Sequence, residues 1–369
     1  MEPAFQFCDE LGPEKILHLY DPQDTGLKAI LVVDNVATGP SIGGTRMAPD
    51  VSLEECFRLA RAMTLKNAAA GLPHGGGKSV IFADPRLPLP EKENLVRAFA
   101  RAIEDVHDYI PGPDMGTDET CMAWMRDSIG RAVGLPREIG GIPLDEIGAT
   151  GWGLVAALEV ATDFCDLQLS GARVVVQGFG SVGMHAARFL EERGAILVAA
   201  SDSSGSIVNP DGLDVADLIR CKQGGDPVTE YAKGTRGDGD ALIDAECDIW
   251  IPAARPDVIN ADNAGRLRTK VIAQGANIPC TEEAERVLHD RGILVLPDFI
   301  ANAGGVICAS VEYHGGTESQ ALNTISEKIG SNTRTVLSAM REQGQLPRTA
   351  AMAMARERVT TAMQYRRYY

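Results

Sequence analysis

The sequence lacks the patterns that mark metal sites, disulfide frames and membrane spans. Its eight cysteines include no C-x-x-C pair, and its six histidines include no H-x-x-H or H-E-x-x-H spacing. No apolar run approaches the ~18 residues that a membrane-spanning helix needs. The opening segment MEPAFQFCDELGPEK carries acids early and does not resemble a signal peptide. We therefore expect reduced thiols, no metal, no membrane association and a cytoplasmic location.

Positive charge is scarce as well. The chain has 35 Lys and Arg residues against 51 Asp and Glu residues, which gives a formal net charge of −16. This balance argues against a nucleic-acid backbone or an anionic membrane as a partner. The composition is otherwise that of a globular protein, with 44% hydrophobic residues and no low-complexity tract. A length of 369 residues predicts two domains rather than one core.

Strands and helices alternate along most of the chain. In the first part, 28–36 and 78–83 read as strands, and a capping box at Ser52 begins a helix that Gly71 ends. Further helices are predicted over 91–108 and 118–133. After residue 150 a helix is followed by short apolar strands, each close to a helix, which predicts a parallel, doubly wound sheet. These strands are predicted at 173–177, 196–200, 248–252, 271–274 and 293–296.

A glycine-rich turn lies at the first strand of this second part. Gly178-Phe179-Gly180-Ser181-Val182-Gly183 follows an apolar strand directly and precedes an amphipathic helix, which is the context that a dinucleotide-binding G-x-G-x-x-G requires. Asp202 ends the next strand, where an acid can bind the ribose hydroxyls. The alternative is a βα turn that binds no nucleotide. A P-loop at Gly75–Ser79 is excluded, because Leu72 stands where a Walker A motif needs glycine.

Three charged residues are candidates for chemistry. Lys66 lies on the apolar stripe of its predicted helix, where it either extends to solvent or serves a buried anion. Lys78 follows three glycines, which allow backbone or substrate to approach closely; alternatively it is a surface lysine in a turn. Asp114 could equally be a turn or N-cap aspartate. Position alone leaves these alternatives open.

Taken together, several segments resemble the glutamate/leucine/phenylalanine/valine dehydrogenase family. The resemblance extends from about residue 28 to residue 315, with the blocks in the family order. It argues against the purely structural roles given above for Lys66, Lys78 and Asp114. The blocks are SIGGTRM at 41–47, MTLKN at 63–67, LPHGGGK at 72–78, GPDMGT at 112–117, ATG at 149–151, QGAN at 274–277 and PDFIANAGG at 297–305.

The resemblance implies a fold, a reaction and roles for residues. It implies an α/β fold with a substrate-binding and catalytic domain over 1–149, a doubly wound Rossmann domain over 150–318, and C-terminal helices over 319–369 that return to the first domain. The implied reaction interconverts an L-amino acid with its 2-oxo acid and ammonia, with hydride transfer to NAD(P). The implied roles are Lys66 with Gly43 and Gly44 for the α-carboxylate, Lys78 for the 2-oxo group or the attacking water, and Asp114 as general acid and base.

The family also implies the residues that bind the cofactor. Asn277 and Asn302 would line the nicotinamide and the substrate amine, and Thr150 would hold the carboxamide. The remaining implied cofactor contacts are Gly178, Gly180, Ser181, Val182, Gly183, Asp202, Ala253 and Ala276. Asp202 favours NAD because it repels a 2′-phosphate, although the string Ser-Asp-Ser-Ser also resembles NADP-dependent relatives. We expect NAD, with NADP as the alternative.

The substrate side chain is indicated by departures from the glutamate dehydrogenases. Those enzymes carry lysine before the Gly-Gly of the first block, where it pairs with the side-chain carboxylate, and this chain has Ile42. They also carry a serine where this chain has Ala309. A carboxylate without a charge partner costs several kcal/mol, so we expect an apolar substrate such as leucine, valine or phenylalanine. Gly112 and Val306 would share the wall with these two residues.

Two segments favour glutamate instead. Met122–Met125 and Ser201–Ile207 resemble glutamate dehydrogenases more than leucine dehydrogenases, so glutamate dehydrogenase stays the alternative. A non-catalytic nucleotide-binding regulator conflicts with the intact Lys66, Lys78 and Asp114. A 2-hydroxy-acid dehydrogenase would need a histidine–acid pair, and none is evident. The resemblance further implies a homo-oligomer, either a hexamer or an octamer.

Overall fold

A computed structural model describes residues 5–366 of the chain. They form two compact units, and each unit is assembled from separate stretches of sequence. Within the described residues, the first unit consists of 5–143, Val306–Ala321 and 352–366. The second unit consists of Leu144–Gly305 and Leu322–Ala351.

The first unit is built on a five-stranded mixed sheet in the order β1-β2-β4-β3-β5. Strands β3, β4 and β5 run parallel to one another, whereas β1 and β2 are antiparallel to their neighbours. Its elements are β1 (Lys15–Asp21), β2 (Leu27–Asn35), β3 (Ser41–Met47), α1 (Leu53–Ala69), β4 (Gly76–Ile81), α2 (Leu89–Ala102), β5 (Tyr109–Pro113) and α3 (Glu119–Ile129).

Strand β2 shows why this sheet is covered on both faces. Its side chains alternate between the faces, so Leu31 and Val33 join one core with Phe99 of α2, while Val32 joins another with Ala60 of α1. Since both faces are buried, the strand reads as a continuous apolar run instead of an alternating one. Helix α1 begins as predicted, with Ser52 accepting a hydrogen bond from the Glu55 N–H at 3.1 Å.

The second unit contains a seven-stranded sheet in the order β12-β11-β10-β6-β7-β8-β9. The strands from β12 to β7 are parallel, and β8 and β9 add an antiparallel edge. This is the Rossmann-like sheet that the sequence predicts. Its elements are α4 (Ala149–Ala161), β6 (Arg173–Gln177), α5 (Ser181–Glu191), β7 (Ile196–Asp202), β8 (Gly205–Val208), α6 (Val215–Gln223), β9 (Thr235–Gly237), β10 (Ile249–Pro252), β11 (Val271–Ala273), α7 (Glu282–Asp290), β12 (Leu294–Leu296) and α8 (Asp298–Ala301).

Three helices complete the chain, namely α9 (Gly304–Tyr313), α10 (Glu318–Gln343) and α11 (Pro347–Tyr365). The boundaries between the two units fall within all three helices, whereas the sequence places one boundary at 318 and assigns everything beyond it to a returning segment. The sequence boundaries stay predictions about functional domains. Among residues 5–366, no helix combines the length and apolarity that crossing a bilayer demands.

Several elements escape the sequence analysis. Strands β1, β3 and β5 are not predicted, because β3 and β5 are glycine- and proline-containing and β1 lies at a half-exposed edge. The helix predicted over 91–108 ends at Ala102, and the one predicted over 118–133 ends at Ile129, where Gly130 adopts a left-handed conformation. The position at which a helix ends depends on packing as well as on the local sequence, so helix ends are predicted less accurately than helix interiors.

Candidate active site

Three neighbouring parallel strands carry the residues singled out in the first unit. Strand β3 lies between β4 and β5, with Thr45 opposite Ser79 on one side and Gly44 opposite Gly112 on the other. Lys78 lies within β4, one residue before the Ser79 that faces Thr45, and Asp114 follows β5, one residue after the Pro113 that faces Thr45. The register across β3 therefore brings these two side chains together.

Lys78 and Asp114 form a close ion pair. The Lys78 Nζ lies 2.6 Å from the Asp114 Oδ2, and the Lys78 side chain is 7% exposed. Arg46 donates its Nε–H to the same oxygen at 3.0 Å and also pairs with Glu55. Burial acts to raise the pKa of Asp114, but the attraction of Lys78 and Arg46 outweighs it and holds that pKa below its usual value. The carboxylate is therefore ionised and available to take a proton.

The glycines of β3 make this arrangement possible. A Cβ on Gly44 would lie 2.9 Å from the Lys78 Nζ and 2.8 Å from the Asp114 Cβ. A Cβ on Gly43 would lie 1.7 Å from the Gly77 carbonyl oxygen. Any side chain at either position would displace the neighbouring strand or the ion pair. The strand thus presents bare backbone beside the lysine and the carboxylate.

Hydrogen bonds fix the strands around the ion pair. Tyr109 donates its hydroxyl to the Gly43 carbonyl at 2.9 Å, and its ring is fully buried. Thr117 accepts the Asp114 backbone N–H at 3.0 Å and donates to the Thr45 carbonyl at 2.7 Å. Such contacts lock the loop after β5, and a rigid frame is what positions an acid–base group.

Lys66 lies in the last turn of α1, and the end of this helix is tied to the same strands. Asn67 donates to the Gly75 carbonyl at 2.7 Å, and a Cβ on Gly76 would lie 2.0 Å from the Thr64 backbone nitrogen. The helix therefore passes directly over the start of β4. The role of Lys66 in binding the α-carboxylate stays a prediction.

An apolar wall lies on the same side of β3 as the ion pair, because Ile42 and Gly44 are two residues apart on this strand and Gly44 faces the pair. Ile42, Ile110, Val133 and Ala309 form one buried cluster, and none of these side chains carries a charge or a hydrogen-bonding group. A Cβ on Gly112 would lie 3.1 Å from a Val133 methyl group, so Gly112 faces the same cluster. The structure thus brings together three of the four residues predicted for this wall. Val306, the fourth, lies one turn before Ala309 on α9 and is partly buried.

The second unit contains the glycine turn between β6 and α5. Gly178 has a φ of +94°, and a Cβ there would lie 2.8 Å from the Ala253 carbonyl carbon in the loop after β10. On Gly183 a Cβ would lie 2.1 Å from the Gly178 oxygen, whereas on Gly180 it would meet nothing within 4 Å. Close packing at the first and third glycines with open space at the second fits a pyrophosphate at the N-terminus of α5, where Ser181 and Val182 lie.

Asp202 ends β7 as predicted, but its carboxylate has partners within the chain. Its Oδ2 accepts hydrogen bonds from the Lys222 Nζ at 2.6 Å and the Val228 N–H at 2.9 Å, and its Oδ1 accepts the Ser204 N–H at 2.9 Å. Burial acts to raise the pKa of Asp202, yet these hydrogen bonds keep it lowered. The acid is ionised, and Lys222 partly neutralises it.

The residues of the second unit that are predicted to line the nicotinamide lie near one another. Asn302 donates to the Asn277 Oδ1 at 3.0 Å and to the Ala276 carbonyl at 3.1 Å. Asp298, at the start of α8, accepts the Ile278 N–H at 2.8 Å and pairs with Arg348 at 2.9 Å. The loop after β11 is thus held by Asp298 of α8 and by Asn302, which follows that helix. Thr150 lies in the first turn of α4, where a Cβ on Gly304 would come 3.0 Å from its Cα.

The sequence analysis missed four residues that shape these sites, namely Arg46, Ile110, Val133 and Lys222. Arg46 lies within the SIGGTRM block that carries the family resemblance, and its place in that block is the only signal available for it. The other three contact site residues that are distant from them in the sequence, and no local pattern marks them.

Comparison with known proteins places both units in one family. A model of the glutamate/leucine/phenylalanine/valine dehydrogenase family matches residues 140–367, and a model of the dimerisation domain of Glu/Leu/Phe/Val dehydrogenases matches residues 13–131. Together these matches cover most of the chain.

Curated relatives are named as glutamate dehydrogenases. The chain is 39% identical to the glutamate dehydrogenase of Aeropyrum pernix, across 90% of this chain and 85% of the relative. It is 37% identical to the NADP-specific glutamate dehydrogenase of Saccharolobus shibatae, across 90% and 83%. The NAD-specific enzyme of Staphylococcus aureus is 36% identical, across 90% and 84%. These names favour glutamate, the alternative substrate, over the apolar one.

Solved structures of amino-acid dehydrogenases share the fold. The hetero-hexameric glutamate dehydrogenase of Thermus thermophilus, in a leucine-bound form, is 30% identical with a TM-score of 0.84, and the match covers 97% of this chain and 91% of that one. The L-tryptophan dehydrogenase of Nostoc punctiforme is 27% identical with a TM-score of 0.76, covering 96% and 98%. The matched structures therefore include enzymes named for acidic and for apolar amino acids.

Proposed function

The chain belongs to the glutamate/leucine/phenylalanine/valine dehydrogenase family, and from that premise we propose that its substrate is an L-amino acid with an apolar side chain. As a family member it is an NAD(P)-dependent amino-acid dehydrogenase that acts on the CH–NH2 group of its donor. The observation that carries the proposal is the buried wall of Ile42, Ile110, Val133 and Ala309 on the same side of β3 as the Lys78–Asp114 pair. An apolar wall stabilises an apolar side chain and leaves a carboxylate without a charge partner.

The chemistry follows from the groups around the ion pair. We propose that Lys78 directs its ammonium at the 2-oxo oxygen or the attacking water, and that the bare backbone of Gly43 and Gly44, with Lys66, receives the α-carboxylate. The Asp114 carboxylate takes and returns protons at the substrate nitrogen. The nicotinamide cofactor, when bound, accepts the hydride. Thr150, Asn277 and Asn302 would hold its nicotinamide end, and the turn at Gly178–Gly183, with Ala253, its pyrophosphate.

Glutamate is the second candidate substrate, and the names of the curated relatives favour it. For the cofactor, the preference for NAD stays a prediction, and its basis is weaker because Lys222 neutralises the carboxylate of Asp202. A panel of L-leucine, L-valine, L-phenylalanine and L-glutamate, assayed with NAD and with NADP, separates these possibilities. We expect kcat/KM for an apolar substrate to exceed that for glutamate; the reverse order would refute the apolar proposal.

We also propose a homo-oligomer in the cytoplasm. The dimerisation-domain match at 13–131 and the hetero-hexameric Thermus structure support assembly. Identical subunits, in a hexamer or an octamer, are the state that we expect. All eight cysteines are free thiols in the structure, which suits a reducing compartment.

Arg46 allows a test of the role of Asp114 through pH. Because Arg46 helps to hold the pKa of Asp114 low, an Arg46→Gln variant should raise that pKa. Asp114 acts as a base only when it is ionised, so the acidic limb of the kcat/KM profile should move to higher pH by about one unit. The plateau at higher pH should be largely kept. A surface variant, Arg86→Gln, serves as the control, and an unmoved acidic limb in Arg46→Gln would argue against Asp114 as the base.

A further inference from the structure

Helix α9 carries a buried glutamate that the chemistry described above does not use. Glu312 is 8% exposed, and its carboxylate accepts three backbone hydrogen bonds. Its Oε1 accepts the N–H groups of Gly134 at 2.8 Å and Leu135 at 3.2 Å, and its Oε2 accepts that of Ile142 at 2.7 Å. No salt bridge joins Glu312 to a cation in the part of the chain that the structure describes.

A buried carboxylate is costly, so its position calls for an explanation. Burial raises the pKa of Glu312, and the three backbone N–H groups offset this only in part. An apolar side chain would fill the same space without the cost of desolvating a charge. What the carboxylate supplies is a fixed attachment for the segment 134–142, which contains no α-helix or strand and whose buried N–H groups need partners.

The segment held by Glu312 begins at the apolar wall. Val133 belongs to the wall, and its own N–H bonds the Pro111 carbonyl of β5 at 2.9 Å. Gly134, with a φ of +71°, lies so close to Pro113 that a Cβ would come within 2.5 Å of the proline ring. The segment is therefore fastened to β5 at one end and to Glu312 along its length.

Helix α9 supplies the opposite side of the wall. Ala309 and Glu312 are three residues apart, so they lie on one face of the helix. Through this face α9 contacts Val133 by packing and the segment 134–142 by hydrogen bonds. A shift of the segment would change the distance between the Val133 and Ala309 side chains.

From this geometry we propose that Glu312 is a positioning residue for substrate specificity, which sets the width of the side-chain pocket between Val133 and Ala309. The proposal rests on the proposed function, because it takes the Ile42 wall as the place where the substrate side chain binds. Glu312 itself contacts no reacting atom. It acts through the segment that it holds.

The test compares substrates whose side chains do and do not reach the wall. In Glu312→Ala we expect kcat/KM for L-leucine to fall at least tenfold, mainly through KM, while kcat/KM for L-alanine changes less than twofold. Glu312→Gln keeps the volume but turns an amide N–H2 toward backbone donors, so it should show a smaller change of the same sign. The matched control is Glu318→Gln, because Glu318 pairs with Arg137 of the same segment at the exposed surface.

The outcomes separate the positioning role from a general structural one. An equal loss of kcat/KM for leucine and alanine would overturn the proposal. An unchanged leucine-to-alanine ratio of kcat/KM in folded Glu312→Gln would also overturn it. If Glu312→Ala does not fold, the ratio measured with Glu312→Gln decides alone. If the wild-type enzyme prefers glutamate, the proposed substrate fails, and the same test is run as glutamate over alanine. Loss of that ratio would still support the role of Glu312.

Discussion

An Asp114→Asn variant is expected to lose roughly 10²- to 10⁴-fold in kcat, the range that a positioned acid–base group contributes. Asparagine has the same shape and keeps an oxygen for Arg46 and Lys78, but it cannot take a proton. Lys78→Ala should cause a loss of similar size, because it removes the ammonium 2.6 Å from the carboxylate. Initial rates of cofactor reduction with the preferred amino acid measure both effects.

The control for these variants is Asp84→Asn, which removes a surface carboxylate paired with Arg86 in the same unit. Its rate should equal that of the wild type. Cofactor binding, followed by fluorescence titration, should stay near wild type in all three proteins. The thermal unfolding midpoint should stay near wild type in Asp84→Asn and fall in the other two, which still fold, because each of them breaks a buried ion pair. Wild-type-like turnover in Asp114→Asn or Lys78→Ala would remove the catalytic roles assigned to this pair.

An Ile42→Lys variant combined with Ala309→Ser is expected to shift specificity from leucine to glutamate by roughly a hundredfold or more in the ratio of kcat/KM values. The new ammonium would give a substrate carboxylate a charge partner at the wall. It would also weaken the binding of an apolar side chain. Because Ile42 is 4% exposed, the unliganded variant should unfold at a lower temperature and be stabilised by glutamate.

Ile42→Met is the matched control, since it supplies similar length and no charge. It should leave the preference for apolar substrates in place. If the lysine variant folds and its leucine-to-glutamate ratio equals that of the wild type, the substrate side chain does not bind at this wall. The apolar proposal would then lose its basis, while the assignments of Lys78 and Asp114 would be unaffected.

Local sequence signals are sufficient to predict part of the fold. The strand β6, the glycine turn after it and the N-cap of α1 at Ser52 all depend on neighbouring residues, and the structure has them where the sequence predicts them. The pairing of Lys78 with Asp114 is less local, and only the family resemblance suggested it. Ile42 and Ala309 were likewise placed together by resemblance, and they share a cluster.

Long-range partners could not be obtained in this way. Arg46 reaches Asp114 across 68 positions of sequence, and Glu312 reaches Ile142 across 170. Neither pairing leaves a periodic or spacing signal, because each depends on how separate elements pack. Asp202 shows the same limit for a residue whose position was predicted. Its place at the end of β7 was predictable, but its neutralisation by Lys222 was not.

The most direct test of the proposal that the substrate side chain binds at the apolar wall is a competition between two oxo acids in the reductive direction. The enzyme is given equal concentrations of 4-methyl-2-oxopentanoate and 2-oxoglutarate with ammonium and reduced cofactor, and the amino acids formed are quantified. Their ratio is the ratio of kcat/KM values for the two oxo acids. We predict that leucine exceeds glutamate by roughly a hundredfold or more. An excess of glutamate would contradict the apolar pocket and identify the enzyme as a glutamate dehydrogenase.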